Sequence, residues 1–127
     1  MATNQIIQSF IAASTITEFA LVSVDSNGKV AITTSGADKT CVGIAQRAAS
    51  AGDAVDVVIS GVTRAIAGGN IVAGDSLVMA AGGGDVVKHE TSSNYSIGRV
   101  ILNINQTSAA NNDQLTIVFT GPTNLIP

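Results

Sequence analysis

Short apolar stretches separated by turn residues run along most of the chain. In residues 54–60, Val55, Val57 and Ile59 face one way, and the other face carries Asp56, Val58 and Ser60, which predicts a strand with one buried face. The predicted strands are residues 19–25, 29–33, 41–45, 54–60, 62–66, 77–79, 85–88, 97–104 and 114–119. Short strands at a spacing of about 8–12 residues, without a convincing long helix, predict an all-β barrel or sandwich.

Glycine-containing turns set the boundaries of these strands. Asn27-Gly28 predicts a hairpin with a type I′ turn, because both residues accept positive φ angles. Gly43, inside a predicted strand, indicates a bulge or a close approach of another backbone segment. Two Ala-Gly-Asp turns, at residues 51–53 and 73–75, suggest an internal repeat. The strands that flank the two turns align poorly, which disfavours a true duplication.

The last strand and the segment after it have distinct patterns. Leu115, Ile117 and Phe119 alternate with polar or smaller residues and are predicted to point inward. Residues 121–127 form a separate C-terminal tail, because two prolines prevent it from being a central strand. Leu125 and Ile126 could anchor this tail on a neighbouring protein or on its own domain.

The N-terminal segment, residues 1–17, carries no charge before Glu18 and no glycine or proline. Its apolar residues Ile6, Ile7, Phe10 and Ile11 could lie on one helical face or form an extended strand. We expect an extended arm that binds another chain, with a first strand or helix of the same core as the alternative. Residues 18–120 are then the folded domain.

Composition and charge narrow the classes of partner. Charged residues make up 12% of the chain, about half the usual share. Such a weakly charged surface favours a protein that packs against copies of itself or against partners. The net charge is −3 and no basic cluster is present, which argues against binding to nucleic acid or to an anionic membrane. No apolar run reaches the length of about 18 residues that a membrane span needs.

The sequence contains no recognisable catalytic, metal or cofactor site. Cys41 is the only cysteine and lies in an apolar strand, where a buried small side chain is expected. His89 is the only histidine, and neighbouring Glu90 does not complete a set of metal ligands. Gly82–Gly84 is not followed by the Lys-Ser/Thr of a phosphate loop. The three arginines, which are isolated from one another, are Arg47, Arg64 and Arg99.

Three stretches together carry a family resemblance. They are Ala-Leu-Val followed by Asn-Gly-Lys-Val, then Cys-Val-Gly-Ile-Ala with Ala-Gly-Asp-Ala-Val-Asp-Val-Val-Ile-Ser-Gly-Val, then Ile-Val-Ala-Gly-Asp-Ser-Leu-Val. Over about residues 19–101 the chain resembles the capsid decoration, or head cement, proteins of tailed bacteriophages. It is more loosely similar to the lambdoid head-decoration protein, from which it differs by fewer prolines in the arm and a longer C-terminus.

This resemblance implies a non-enzymatic protein that binds the outer surface of the expanded phage head and stabilises it by bridging capsomers. The fold it implies is a compact small β-barrel or β-tulip-like domain of short antiparallel strands with an extended N-terminal arm. The implied partners are the major capsid protein and two further copies in a homotrimer, on virions assembled in the host cytoplasm. Gln5, Ile6, Ile7, Phe10 and Ile11 would then bind the capsid, through strand addition.

Two other functions stay open from the sequence. One is a different phage structural role, in a tail, a baseplate or a head fibre, which the low charge fits equally well. The other is a biotinyl or lipoyl carrier, suggested by Val72-Ala-Gly-Asp-Ser-Leu-Val. A carrier needs a lysine at a hairpin tip between small apolar residues. Lys88 lacks the usual flanking methionines, so the carrier interpretation is the weakest.

Overall fold

The computed structural model describes residues 5–34, 40–69, 71–72, 77–80, 84–88, 97–101 and 108–121. All secondary structure in these residues is β. The strands are β1 (Gln5–Ile11), β2 (Leu21–Val24), β3 (Val30–Ile32), β4 (Cys41–Ala45), β5 (Ala54–Ile66), β6 (Ile71–Val72), β7 (Leu77–Ala80), β8 (Val86–Lys88), β9 (Gly98–Val100), β10 (Ser108–Ala109) and β11 (Gln114–Phe119). The all-β prediction is confirmed.

Nine of these strands form one sheet in the order β3-β2-β4-β5-β11-β9-β7-β8, with β1 paired to β5, while β10 and β6 form a small second sheet. Every pair of named strands is antiparallel. Among the described residues β3 and β8 do not pair, so the sheet is not a closed barrel. It curls instead: the Leu21 N–H donates to the Gly84 carbonyl (2.9 Å), and the Gly84 N–H donates to Thr33 (3.2 Å).

The β2–β3 hairpin is confirmed, but its turn differs from the predicted type. Gly28 has a φ of 76°, whereas Asn27 does not have a positive φ. The Asp25 N–H donates to the Lys29 carbonyl (2.8 Å), and the Asp25 carboxylate accepts from the backbone of Asn27 and Lys29. This three-residue loop with one left-handed glycine replaces the expected two-residue type I′ turn. The Asp25 side chain stabilises it, because it satisfies two turn donors.

The strand pairing occurs twice in the chain. β1 pairs with the first half of β5, and the second half of β5 pairs with β11 in the same register. Likewise, β4 pairs with β2 and β5 in the same way as β9 pairs with β7 and β11. Equivalent pairs are Ile11–Ala54 and Ile66–Gln114, Leu21–Ile44 and Leu77–Arg99, and Ile44–Val58 and Arg99–Val118. Residues 5–60 (repeat 1) and 61–121 (repeat 2) are therefore two copies of one β unit that share strand β5.

The turns that precede β5 and β11 repeat as well. Gly52 donates its N–H to the Ala12 carbonyl (2.8 Å), and Asn112 donates to Ala67 (2.7 Å). Both turn residues have positive φ, 90° and 73°. The counterpart of Ala51-Gly52-Asp53 is thus Asn111-Asn112-Asp113 rather than the second Ala-Gly-Asp of the sequence. The expectation that the chain lacks a true duplication was wrong at the level of structure.

Each repeat has its own apolar core. The core of repeat 1 contains Ala12, Ile16, Ala20, Val22, Val30, Ala45, Val55 and Val57. The core of repeat 2 contains Ala65, Ala67, Ile71, Val86, Ile97, Ala109, Leu115, Ile117 and Phe119, together with Leu21, Cys41 and Ile44 from the reverse side of repeat 1. The reverse side of repeat 1 thus closes the core of repeat 2, and the two repeats pack as one unit.

Most predicted inward positions are confirmed. Val55 and Val57 are fully buried and Ile59 is half-buried, and the inward residues of β11 are buried. Val58, predicted to point outward, is also fully buried. The alternation along β5 changes between Val58 and Thr63, where the register against β1 is irregular and Gly61 has a φ of 113°. A bulge of this kind shifts which side chains face a given core.

Candidate interaction surface

Strand β1 presents three of the four large apolar side chains that are exposed in the described part of the chain. Ile6 is 60% exposed, Ile7 51% and Ile11 42%. Phe10 is half-buried and packs against the core of repeat 1. All seven residues of β1 pair with β5, from Gln5 opposite Gly61 to Ile11 opposite Ala54. β1 is therefore held in an extended form with isoleucines facing solvent.

Polar contacts fix the two ends of this strand. The Gln5 side-chain Nε2 donates to the Val62 carbonyl (2.9 Å). The Ser9 hydroxyl donates to an Asp56 carboxylate oxygen (2.8 Å). Asp56 also lies 3.9 Å from the Arg47 guanidinium, an exposed pair that contributes little stability in water. Since β1 itself carries no charge, its outer surface offers apolar area rather than an electrostatic attraction.

The five predicted capsid-binding residues all lie on β1, so the structure brings Gln5, Ile6, Ile7, Phe10 and Ile11 together on one strand. Their role in binding stays a prediction. The other predicted contacts, Leu125 and Ile126, lie outside the described residues.

The segment that follows β1, which was predicted to belong to the arm, packs into the domain. Ala12 and Ile16 are buried, and the Ile16 N–H donates to the Ala49 carbonyl (2.8 Å). The Ala12 N–H donates in turn to the Asp53 carbonyl (2.9 Å). Residues 12–16 therefore join the core of repeat 1, and β1 is the part of the N-terminal segment that presents exposed apolar side chains.

Several apolar residues that were not predicted to be exposed also reach the surface. Ile101, directly after β9, is 51% exposed. Ile32, Val42 and Ile59 are half-buried at the margin of the repeat 1 core. No local signal distinguishes these three from core residues, because their exposure depends on what the rest of the chain leaves uncovered.

The described residues contain no group of three histidine, cysteine or acidic side chains that could hold a metal ion. Cys41 is buried, and burial raises the pKa of Asp85 above its ordinary value of 3.8. Lys88 ends strand β8 and pairs with Val78, so it does not sit at a hairpin tip as a carrier lysine would. His89 and Glu90 lie outside the described residues.

The part of the chain that the structure describes contains no helix long and apolar enough to cross a membrane.

The fold and surface together define a small all-β protein with a two-repeat sheet and an exposed apolar strand. The family of phage cement proteins matches residues 12–120, and the chain belongs to this family. It is accordingly a structural protein of the phage virion that binds the capsid, and its role is to decorate and stabilise the head. No curated protein matches the chain.

A solved structure shares the fold. The head fiber gp8.5 N base of bacteriophage phi29 superposes with a TM-score of 0.67 at 17% sequence identity. The match covers 94% of this chain and 98% of the phi29 protein. At this identity the similarity extends to the fold alone.

Proposed function

We propose that the protein binds the outer surface of the expanded head, contacts the major capsid protein and bridges neighbouring capsomers without any catalytic step. The observation that carries this proposal is the uncharged strand β1 with Ile6, Ile7 and Ile11 exposed. Exposed apolar area of this kind favours burial against a protein partner. Because the chain belongs to the phage cement protein family, we take the capsid to be this partner.

Binding through β1 combines backbone and side-chain contacts. A capsid strand added beside β1 would gain main-chain hydrogen bonds, while Gln5, Ile6, Ile7, Phe10 and Ile11 fill pockets on the capsid protein. Burying apolar surface is worth roughly 25 cal/mol per Å² before the costs of association. A modest affinity at each site is sufficient, because the contacts recur over the whole lattice and one molecule that spans a joint gains from multivalency.

The proposed assembly on the capsid is a homotrimer, as the resemblance to head-decoration proteins implies. Leu125 and Ile126 of the C-terminal tail are proposed as a further contact with the capsid or with a neighbouring copy. Nucleic acid and membranes are not proposed partners, because the chain has a net charge of −3 and no basic cluster.

A base for a head fibre is the second candidate function. The phi29 protein that shares the fold is described as the base of a head fiber. A fibre base also binds the head, but it would not need to strengthen the joints between capsomers. A head-binding assay tests the capsid interaction that both functions share. A separate measurement of head stability distinguishes the two functions.

Cosedimentation with heads of the parent phage tests the proposal. Purified protein is mixed with expanded, undecorated heads and with unexpanded heads, and the bound fraction is measured against concentration. We expect saturable binding to expanded heads and at least about tenfold weaker binding after removal of residues 1–11. Absence of binding by the full chain would contradict the proposed function. Equal binding by the full and shortened chains would move the capsid contact away from β1.

A further inference from the structure

Equivalent positions of the two repeats differ in burial. Val42 and Ile59 of repeat 1 are half-buried. Their counterparts in repeat 2, by the register of the pairing strands, are Ile97 and Phe119, which are 2% and 1% exposed. Because both repeats have the same strand pairing, the difference arises from what covers the two cores.

In repeat 2 the cover is supplied by repeat 1. Leu21, Cys41 and Ile44, on the reverse side of β2 and β4, pack in one cluster with Ile97 and Phe119. This covering surface is an uncharged apolar sheet face. The corresponding face of repeat 1 has no such cover in the described part of the chain. The packing of repeat 1 on the core of repeat 2 thus shows that this face of the β unit packs against an uncharged apolar sheet face.

The uncovered residues form a band across repeat 1. Ile32, Val42 and Ile59 all pack against the core of repeat 1. Ile6 of β1 pairs with Ser60, beside the bulge in β5. Ile6 lies on the same side of β1 as Phe10, because side chains alternate along a strand. We call the band of Ile6, Ile32, Val42 and Ile59 the repeat 1 face.

A second copy of the chain does not fit this face by the same packing. Among the described strands, the equivalent of the covering β2–β4 pair is β7–β9, and there the exposed Arg99 occupies the position of Ile44. Packing β7–β9 of another copy on the repeat 1 face would press a guanidinium against apolar side chains, which is costly without a buried partner. The charge at position 99 therefore points to a different polypeptide.

We propose that the repeat 1 face is the surface that docks on the head, and that its occupant is an uncharged, apolar sheet face of the major capsid protein. This inference rests on the proposed capsid binding and adds β3 and β4 to the contact, which β1 alone would not engage. Repeat 2, whose equivalent face is already filled, is then turned away from the docked surface. The protein binds with a fixed polarity, repeat 1 toward the capsid.

Two matched double variants test this orientation. Ile32→Thr/Val42→Thr makes the repeat 1 face more polar, and Val62→Thr/Ile66→Thr makes the same two changes at half-buried positions of β5 beside repeat 2. Threonine keeps the β-branched shape in both. We expect the affinity for expanded heads to fall at least about tenfold for the first variant and to change by less than about twofold for the second. Thermal unfolding of each variant without heads checks the fold.

A second pair of variants avoids the core altogether. Ile6→Asp lies on the repeat 1 face, whereas Ile101→Asp lies directly after β9 in repeat 2; both side chains are more than half exposed. Stronger loss of binding for Ile6→Asp supports the face. Equal effects of Ile6→Asp and Ile101→Asp, or an unchanged affinity of Ile32→Thr/Val42→Thr, would overturn it.

The controls separate this inference from the proposed function. If the unmodified chain fails to bind heads, the proposed function itself fails. If the unmodified chain binds and the repeat 1 variants bind equally well, the inference fails and the proposed function stands. Sedimentation equilibrium tests the remaining occupant: self-association that Ile6→Asp abolishes while head binding persists would assign the face to a second copy and overturn the proposal.

Discussion

At the scale of single residues, two glycines allow neighbouring strands of the repeated sheet to approach closely. A Cβ added to Gly43 would overlap the carbonyl oxygen of Val58, and one added to Gly98 would overlap that of Val118. The two sites are equivalent in the repeats. The close backbone approach predicted from the glycine inside strand β4 is confirmed, with an irregular register between Val22 and Ser23 beside it.

Alanine at either of these glycines should destabilise the protein. The added methyl group meets backbone rather than a movable side chain, so the strands must separate locally. We expect Gly43→Ala and Gly98→Ala each to lower the free energy of unfolding by about 1–3 kcal/mol, measured by urea denaturation. Gly28→Asn is the control, since no atom lies within 4 Å of an added Cβ there and asparagine tolerates its positive φ. Unchanged midpoints for both alanine variants would contradict the close packing.

The sequence predicts burial well where one core decides it and fails where two cores meet. Val55, Val57 and Leu115 face the core of their own repeat, so local alternation identifies them. Val58 is buried on the reverse side of β5, and Ile44 of the adjacent strand enters the core of repeat 2. Val58 pairs with Ile44, and nothing in the residues around Val58 indicates that this side of β5 is buried as well.

At the scale of elements, strand β1 shows the limit of local pattern. Its residues favour a strand and a helical face almost equally, so the sequence leaves its conformation open. Pairing of Gln5 with Gly61 joins residues far apart in the chain, and this long-range pairing decides the conformation. The segment after β1 carries Ala12 and Ile16, whose burial likewise depends on the distant Ala49 and Asp53.

Two truncations distinguish β1 from the core that follows it. Removing residues 1–11 deletes a strand that pairs with β5 alone among the described strands, and we expect a less stable but folded domain. Removing residues 1–17 also deletes Ala12 and Ile16. Loss of the buried isoleucine alone should lower the free energy of unfolding by a further amount of about 2–5 kcal/mol. Thermal and urea unfolding measure both. Ile16→Ala in the full chain is the matched control. Equal stability of the two truncated proteins would contradict the burial of Ile16.

At the scale of the whole molecule, the duplication escapes sequence comparison because the two repeats conserve geometry rather than residues. Gly52 corresponds to Asn112, and both supply a positive φ in a turn, while Ile44 corresponds to Arg99. The shared signal is therefore a set of backbone conformations and register positions. The family resemblance needed no such alignment, since it came from the order of strands and turns in about residues 19–101.

The polarity of the molecule follows from the same divergence. Among the described residues, nothing covers the apolar face of repeat 1, which also carries β1, whereas Leu21, Cys41 and Ile44 close the core of repeat 2. A two-repeat unit of this kind can cover a joint between capsomers with one end while the other end stays in solvent. To stabilise the head, the protein must bind more tightly to an intact joint between capsomers than to a broken one.

The thermal stability of the head with and without the protein tests the central claim most directly. Expanded, undecorated heads are heated at rising concentrations of the protein, and their disruption is followed by light scattering. Preferential binding to intact heads predicts a disruption temperature that rises with concentration and levels off as the sites fill, with a smaller rise for Ile32→Thr/Val42→Thr. Saturable binding that leaves the disruption temperature unchanged would contradict a cementing role and favour a fibre base.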